Sequence, residues 1–404
     1  MNQFLKFLFI FLTGCLFFIN AFAQRSSSER SIADSIYQDS TLKVHASQLS
    51  FPASIAHINV EPSNEGYQFL HDPAIVAHKG QLIAAWYACP EHEIVDESRI
   101  HSRRSNDGGV TWSEIEVIAE DRNDEGIHYV PAQLLSTGDN LYAFVGKMKG
   151  HDIIISTAIY QYNESNKIWE EIREIAQLFL PNCMPEKLAN GNWILAGRTA
   201  TKLGKLPVKP AVLISEGDRL DGSWRVVALE KEPFPEKGHY PETTLIEAGN
   251  TLYSFVRSDD GVTYKPHIYS STDFGETWVR LIHHDFRAVA TKMYGGTLST
   301  GQNYMLFNYV PDSPDINSRG VLAIAVSSRH VDGLKFARVL AVQSAFNGSG
   351  VPRRAHYPSA FEYDGNLYVI YTAEFEGESK RQCELAIIPL ESLAGSMKAD
   401  SHIR

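Results

Sequence analysis

The sequence predicts an all-β fold, a six-bladed β-propeller of four-stranded antiparallel blades, on three observations. The first is a recurring motif: His71-Asp72-Pro73, His128-Tyr129-Val130-Pro131, His239-Tyr240-Pro241 and His356-Tyr357-Pro358 each open a short apolar run. Prolines 73, 131, 185 and 241 lie 58, 54 and 56 residues apart, and Pro358 falls two further periods on, at 117. The second is an aromatic just past a polar turn, at Trp112, Trp169, Trp224, Trp278 and Phe336, running out of phase at steps of 57, 55, 54 and 58. Two independent markers share a period close to the length of one four-stranded blade. The third is that no stretch between them has sustained helical periodicity.

Within each repeat the opening strand is followed by a turn and a second strand, as in Gly80-Gln81-Leu82-Ile83, Asp139-Asn140-Leu141-Tyr142, Gly249-Asn250-Thr251-Leu252 and Asp364-Gly365-Asn366-Leu367. Gly, Asn and Asp provide the positive φ that a tight hairpin needs. The repeat at Met293-Tyr294-Gly295 has lost its proline. The last repeat has only Cys383 to Leu390 for its third strand, so a strand from Leu42 to Val60 is expected to complete that sheet and close the ring.

The chain has 404 residues, 44% hydrophobic and 21% charged, enough for one large β domain, placed at 41–396. Before it, Met1 to Ala23 carries a lysine, an apolar run and Ala21-Phe22-Ala23, the pattern of an export signal, so a periplasmic or secreted protein is expected. Leu12-Thr13-Gly14-Cys15 is the lipoprotein alternative for the same segment. Residues 24–40 read as a polar linker and 397–404 as a polar tail. No other apolar stretch is long enough to span a membrane.

Three cysteines remain after the signal, Cys89, Cys183 and Cys383, an odd number without zinc spacing, so buried thiols are expected. A net charge of −11 argues against nucleic acid as a partner. An anionic substrate therefore has to be gathered by a local basic cluster. No carboxylate cluster has calcium-loop spacing, and no cofactor is expected.

Ser105-Asn106-Asp107-Gly108-Gly109-Val110-Thr111-Trp112 and Ser271-Thr272-Asp273-Phe274-Gly275-Glu276-Thr277-Trp278 resemble the Asp box of the sialidase superfamily. The box is a hairpin on an outer turn, where the Asp ties down backbone amides and the Trp packs between blades, so its role is structural. The resemblance continues in register over nearly all of the chain after the signal. His239-Tyr240-Pro241-Glu242 with Arg257 resembles the segment carrying the glutamate partner of the nucleophile and the second arginine of a carboxylate-binding triad. It implies that Arg319 is the third arginine, Tyr357 the nucleophile and Glu374 the carboxylate that orients the first arginine. The first arginine is absent, since Leu70-His71-Asp72-Pro73 stands in its place. The acid/base aspartate has no clean counterpart either, and Glu91, Glu93 and Asp96 are the candidates.

By repeat position His71, His128, His239 and His356, with Tyr129, Tyr240 and Tyr357, are expected around the mouth of the funnel. Arg198 follows Leu195-Ala196-Gly197 as Arg257 follows its own strand, which adds it to Arg257, Arg319 and His71 as a ligand for a substrate carboxylate. Such a site suits a uronic acid. Neutralising its carboxylate acidifies the proton on the neighbouring ring carbon, which Tyr357 or a histidine removes while the adjacent substituent leaves. The first reading is thus a lyase or dehydratase producing an unsaturated uronate at the non-reducing end of an acidic oligosaccharide. The alternative is an exo-glycosidase of sialidase type, with Tyr357 activated by Glu242 and Glu93 or Asp96 as acid/base. A further alternative is a glycan-binding propeller without catalysis. The loops 88–99 and 310–318 are expected to wall one side of an exo-acting pocket.

Overall fold

The computed structural model describes residues 35–38, 42, 44–94, 97–201, 208–231, 240–260, 262–312, 319–329, 333–345, 352–375 and 380–394. The segment read as an export signal, most of the expected linker, the tail at 397–404, Asp96 and His239 lie outside the described residues.

The described strands, in chain order, are β1 (Ala56–Glu61), then β2 (Phe69–His78), β3 (Gln81–Cys89), β4 (Arg99–Ser105) and β5 (Glu116–Ala119). A second meander is β6 (His128–Ser136), β7 (Leu141–Lys149), β8 (Ile153–Asn163) and β9 (Ile168–Gln177). A third is β10 (Phe179–Pro181), β11 (Glu186–Lys187), β12 (Trp193–Ala200), β13 (Val208–Ser215) and β14 (Trp224–Ala228). There follow β15 (Thr243–Ala248), β16 (Thr251–Val256), β17 (His267–Ser271) and β18 (Val279–Leu281), and β19 (Tyr294–Thr297), β20 (Asn303–Asn308), β21 (Val321–Ser327) and β22 (Phe336–Ser344). The last group is β23 (Arg354–Tyr363), β24 (Asn366–Glu374) and β25 (Arg381–Pro389). The described helices are a 3₁₀ turn, Ala46–Gln48, and a four-residue helix, Leu390–Leu393.

These strands make five hydrogen-bonded sheets, not the six separate ones expected. The difference has one cause: Phe69 in β2 pairs in parallel with Arg381 in β25, which joins the first and last meanders into a single eight-stranded sheet. The strand expected from residues 42–60 is β1, which pairs antiparallel with β25 from Ala56↔Ile387 to Glu61↔Cys383. It supplies the strand that the last meander lacks.

The two sequence markers have distinct places. The proline motif opens β6, lies inside β2 and β23 two residues from their starts, and precedes β15; the aromatics fall at or just before the outer strand, as Trp224 does in β14 and Phe336 in β22. In both Asp boxes the carboxylate accepts a backbone amide four residues on, Thr111 N to Asp107 and Thr277 N to Asp273, each at 2.9 Å. Trp112 Nε1 donates to Gly109 O at 3.0 Å, and Trp278 Nε1 to Gly275 O at 2.9 Å. Gly275 is needed twice over: its φ is +85°, and a Cβ there would stand 2.9 Å from Ile194 Cδ1 of the preceding meander. The box thus fixes how one sheet packs against the next. Cys89, Cys183 and Cys383 are buried free thiols within these cores.

Part of the linker is packed instead of solvated. Ile36 and Tyr37 are buried, Gln38 N donates to Phe336 O, and Phe336 N donates to Ile36 O. Two apolar side chains and an open strand edge explain the docking, since an uncovered β22 would expose unpaired backbone.

Candidate active site

The first strands of β2 and β23 break register between His71 and Ala74 and between His356 and Ser359. Each bulge holds the residue between His and Pro in left-handed backbone, Asp72 at φ +47° and Tyr357 at φ +55°. A non-glycine residue there costs about 1–3 kcal/mol, and the bulge re-aims its side chain. Both side chains are turned into one cavity of ≈ 210 Å³, lined also by His71, Tyr87, Glu93, Arg198, Glu242, Arg257, Arg319 and Arg381. That volume is below the few hundred Å³ of a drug-sized site and suits one sugar ring.

At its centre, Tyr357 Oη donates to Glu242 Oε1 at 3.0 Å. Arg257 Nη1 donates to Tyr357 Oη at 3.0 Å and to Glu242 Oε2 at 2.9 Å, while Arg257 Nε holds Asp259 Oδ1 at 2.7 Å. Backbone geometry sets this up, because Arg257 N donates to Glu242 O across the β15–β16 hairpin. Arg198 Nη1 reaches the same carboxylate at 3.3 Å. Gly197 lets it do so: a Cβ there would stand 2.0 Å from Leu180 O, so only glycine lets β12 press against β10. Burial alone would raise the Glu242 carboxyl, but Arg257 and Arg198 outweigh it and hold it below the usual carboxylate range. Burial and the Glu242 charge push the Tyr357 phenol well above 10, so it is protonated at neutral pH.

Asp72 is buried and takes a hydrogen bond from Lys292 Nζ, a side chain with no exposed surface. Burial raises the Asp72 carboxyl even against the attraction of Lys292. Glu93 is half-buried at the rim, where its Oε1 accepts from Tyr87 Oη at 2.8 Å and its backbone oxygen lies 2.6 Å from His151 Nε2.

The expected ring of imidazoles is not assembled. Of the described histidines in the motif only His71 lines the cavity, joined by His151, which lies outside the motif. His71 is buried with Nδ1 2.8 Å from Thr372 Oγ1, and burial together with nearby Arg381 keeps it neutral. His356 lies behind the wall, its Nε2 3.1 Å from Glu374 Oε1 and its Nδ1 buried with no partner among the described residues. His128 accepts from Gly150 N at 3.2 Å, and neither it nor Tyr129 lines the cavity. On β2 and β23 the bulge turns the residue after the histidine, Asp72 or Tyr357, into the cavity, whereas on β6 it is Val130 and Pro131 that line it. Glu91 is exposed and away from the cavity, whereas Glu93 and Ile94 line it. Val310 to Asp312, the described part of the second loop, wall a different cavity, with Tyr37 and His45.

Polar residues of the cavity that escaped the sequence reading include Tyr87, Asp72, His151, Asn182 and Arg381, with Lys292 behind Asp72. Arg381 Nε lies 2.8 Å from Glu374 Oε1. Among the described residues no group of three or more His, Cys, Asp or Glu is placed to hold a metal ion, and no helix is long and apolar enough to cross a membrane.

A family model for the BNR repeat-like domain matches residues 80–369, most of the chain. The chain belongs to this BNR repeat-like family. No curated protein matches this BNR-repeat chain by sequence. Its fold is similar to that of a Dyadobacter fermentans protein of unknown function, at TM-score 0.62 and 16% identity, over 83% of this chain and 99% of the other. It is also similar to Trypanosoma rangeli sialidase captured as a covalent intermediate with difluorosialic acid, at TM-score 0.63 and 15% identity over 86% of this chain. That match spans only 60% of the trypanosomal chain. A Hadza microbial sialidase matches at TM-score 0.64 and 14% identity, over 84% of this chain and 69% of that one.

Proposed function

We propose that this BNR-repeat protein is an exo-glycosidase that releases a terminal acidic sugar through a covalent tyrosyl intermediate. The observation that carries the reading is the Tyr357–Glu242–Arg257 triangle, closed by contacts of 3.0, 2.9 and 3.0 Å at the centre of a one-sugar cavity. We take the eight-stranded sheet as two blades, so that six meanders surround this cavity as a propeller.

Tyr357 Oη attacks the anomeric carbon and gives its proton to Glu242, while the leaving glycosidic oxygen takes a proton from Glu93. Water then enters; Glu93 accepts one of its protons, the new oxygen–carbon bond replaces the tyrosyl bond, and Tyr357 recovers its proton from Glu242. Arg257 stabilises the negative charge that grows on the phenol oxygen during attack. A phenol held above its usual pKa needs a base at the moment of attack, which Glu242, ionised at neutral pH, provides. Elimination, the first reading of the sequence, was favoured over hydrolysis by the missing first arginine and by four histidines expected at the funnel. His356 and His128 are turned to other partners, which removes its main support.

The test is hydrolysis of methylumbelliferyl glycosides of N-acetylneuraminic and glucuronic acid. Release of fluorophore by the native protein, lost in Tyr357→Phe, supports the reading; undiminished turnover by Tyr357→Phe would sink it.

A further inference from the structure

The first strand of this chain lacks the arginine that the family resemblance leads one to expect, yet the carboxylate that would orient it, Glu374, is in place. Glu374 faces Arg381 across the β24–β25 ladder, where the two are Cα partners. Arg381 opens β25, and its backbone pairs with Phe69 at the start of β2, so it enters the cavity beside the vacated position. Its guanidinium is fixed on two sides, by Glu374 Oε1 at 2.8 Å from Nε and by the Phe69 ring, 4.2 Å from the guanidinium carbon to the ring centre. Among the described residues its terminal amino groups have no acceptor. Arg198 and Arg257, by contrast, are bound to Glu242.

The surrounding charge also calls for an anion. Arg319 lines the same cavity, and its guanidinium is depressed first by burial and then by repulsion from Arg257 and Arg381. Arg319 and Arg381 repel one another across the cavity, and a carboxylate bound between them would offset that repulsion.

We propose that Arg381, carried on the third strand of the last meander, replaces the missing arginine of the first strand and binds the substrate carboxylate together with Arg319. The substrate class is then a terminal sugar acid with one free carboxylate. This rests on the reading of the cavity as an acidic-sugar site, but it concerns recognition and not bond cleavage.

Isothermal titration of the full chain with N-acetylneuraminic acid and with glucuronic acid, each beside its methyl ester, tests it. The native protein binds one of the acids on the order of 100-fold more tightly than its ester, and Arg381→Met loses that preference while binding the ester as before. Should Arg381→Met fail to fold in a thermal melt, Arg381→Gln, which retains a donor for Glu374, carries the same expectation. Undiminished preference for the acid in the folded variant, or no preference in the native protein, overturns the proposal. If the preference depends on Arg381 but the matching methylumbelliferyl glycoside is not cleaved, the hydrolytic reading fails and the carboxylate clamp stands.

Discussion

The hydroxyl of Tyr357 donates to Glu242 Oε1 at 3.0 Å, joining a residue on β23 to one preceding β15, 115 positions away in the chain. Glu242 is buried and Tyr357 half-buried beside Arg257, the Tyr357 ring packs on His71 at 4.1 Å between ring centres, and the left-handed backbone at Tyr357 aims its hydroxyl at Glu242. The strain is understandable if the phenol has to stand at a fixed point in the cavity.

Removing the phenol oxygen should therefore abolish turnover. Tyr357→Phe is expected to lower kcat/KM on the order of 10³-fold or more, and Glu242→Gln on the order of 10²- to 10⁴-fold, both with native circular dichroism. The two losses should not add in the double variant, because the residues act as one unit. Initial rates on the acidic glycoside that the native protein cleaves provide the measurement.

Arg198 acts on Glu242, not on the substrate, so its loss should show in the pH profile. Arg257 and Arg198 hold the Glu242 carboxyl low; with Arg198→Met one of them goes and the carboxyl rises. The acid limb of kcat/KM should move to higher pH, with a loss on the order of tenfold to a hundredfold in kcat. An unmoved limb with KM alone increased would make Arg198 a substrate ligand, as its sequence position first implied.

The Asp72–Lys292 pair is buried, so breaking it should cost far more than replacing it. Lys292→Met is expected to destabilise the protein by about 3–5 kcal/mol in denaturant unfolding. The double variant Asp72→Asn with Lys292→Met should recover most of that, since no buried charge is then left unpaired.

Acid should destabilise the fold through His356 and Glu374. Burial holds the imidazole down at about 3, whereas in the unfolded chain it charges below about 6.5; Glu374 is held at about 2, against 4.5, by its hydrogen bond from His356 and by the charges of His356, Arg381 and Arg354. Both folded values are lowered, so both contributions are complete above pH 6.5. The histidine's contribution is lost as pH falls from 6.5 towards 3, and the glutamate's as it falls from 4.5 towards 2. His356→Gln should flatten the stability profile between pH 6.5 and 4.5, as read from unfolding midpoints.

Much of this molecule is legible in its sequence because repeats expose it. The proline and tryptophan periods mark the first and outer strands, and the shortened last repeat points to β1. Tyr357, Glu242 and Arg257 follow from the family resemblance in register. What escapes the sequence depends on one-residue geometry or on long-range pairing. The histidines were placed at the funnel because they recur, yet the bulges at Asp72 and Tyr357 turn the next residue inward instead. Lys292 occupies the corresponding position in the repeat that lost its proline, a signal that could have been used. Arg381 could have been found from the hairpin register that sets it opposite Glu374. Six distinct sheets were expected, and the single Phe69–Arg381 pair merges two of them.

The central claim is that a tyrosyl sugar is formed and then hydrolysed. The most direct measurement is mass spectrometry of the products released from terminally acidic oligosaccharides in water enriched in heavy oxygen. The account predicts a free, saturated sugar acid carrying one heavy oxygen, absent with Tyr357→Phe. An unsaturated product, lighter by one water and without the label, would contradict it and restore elimination.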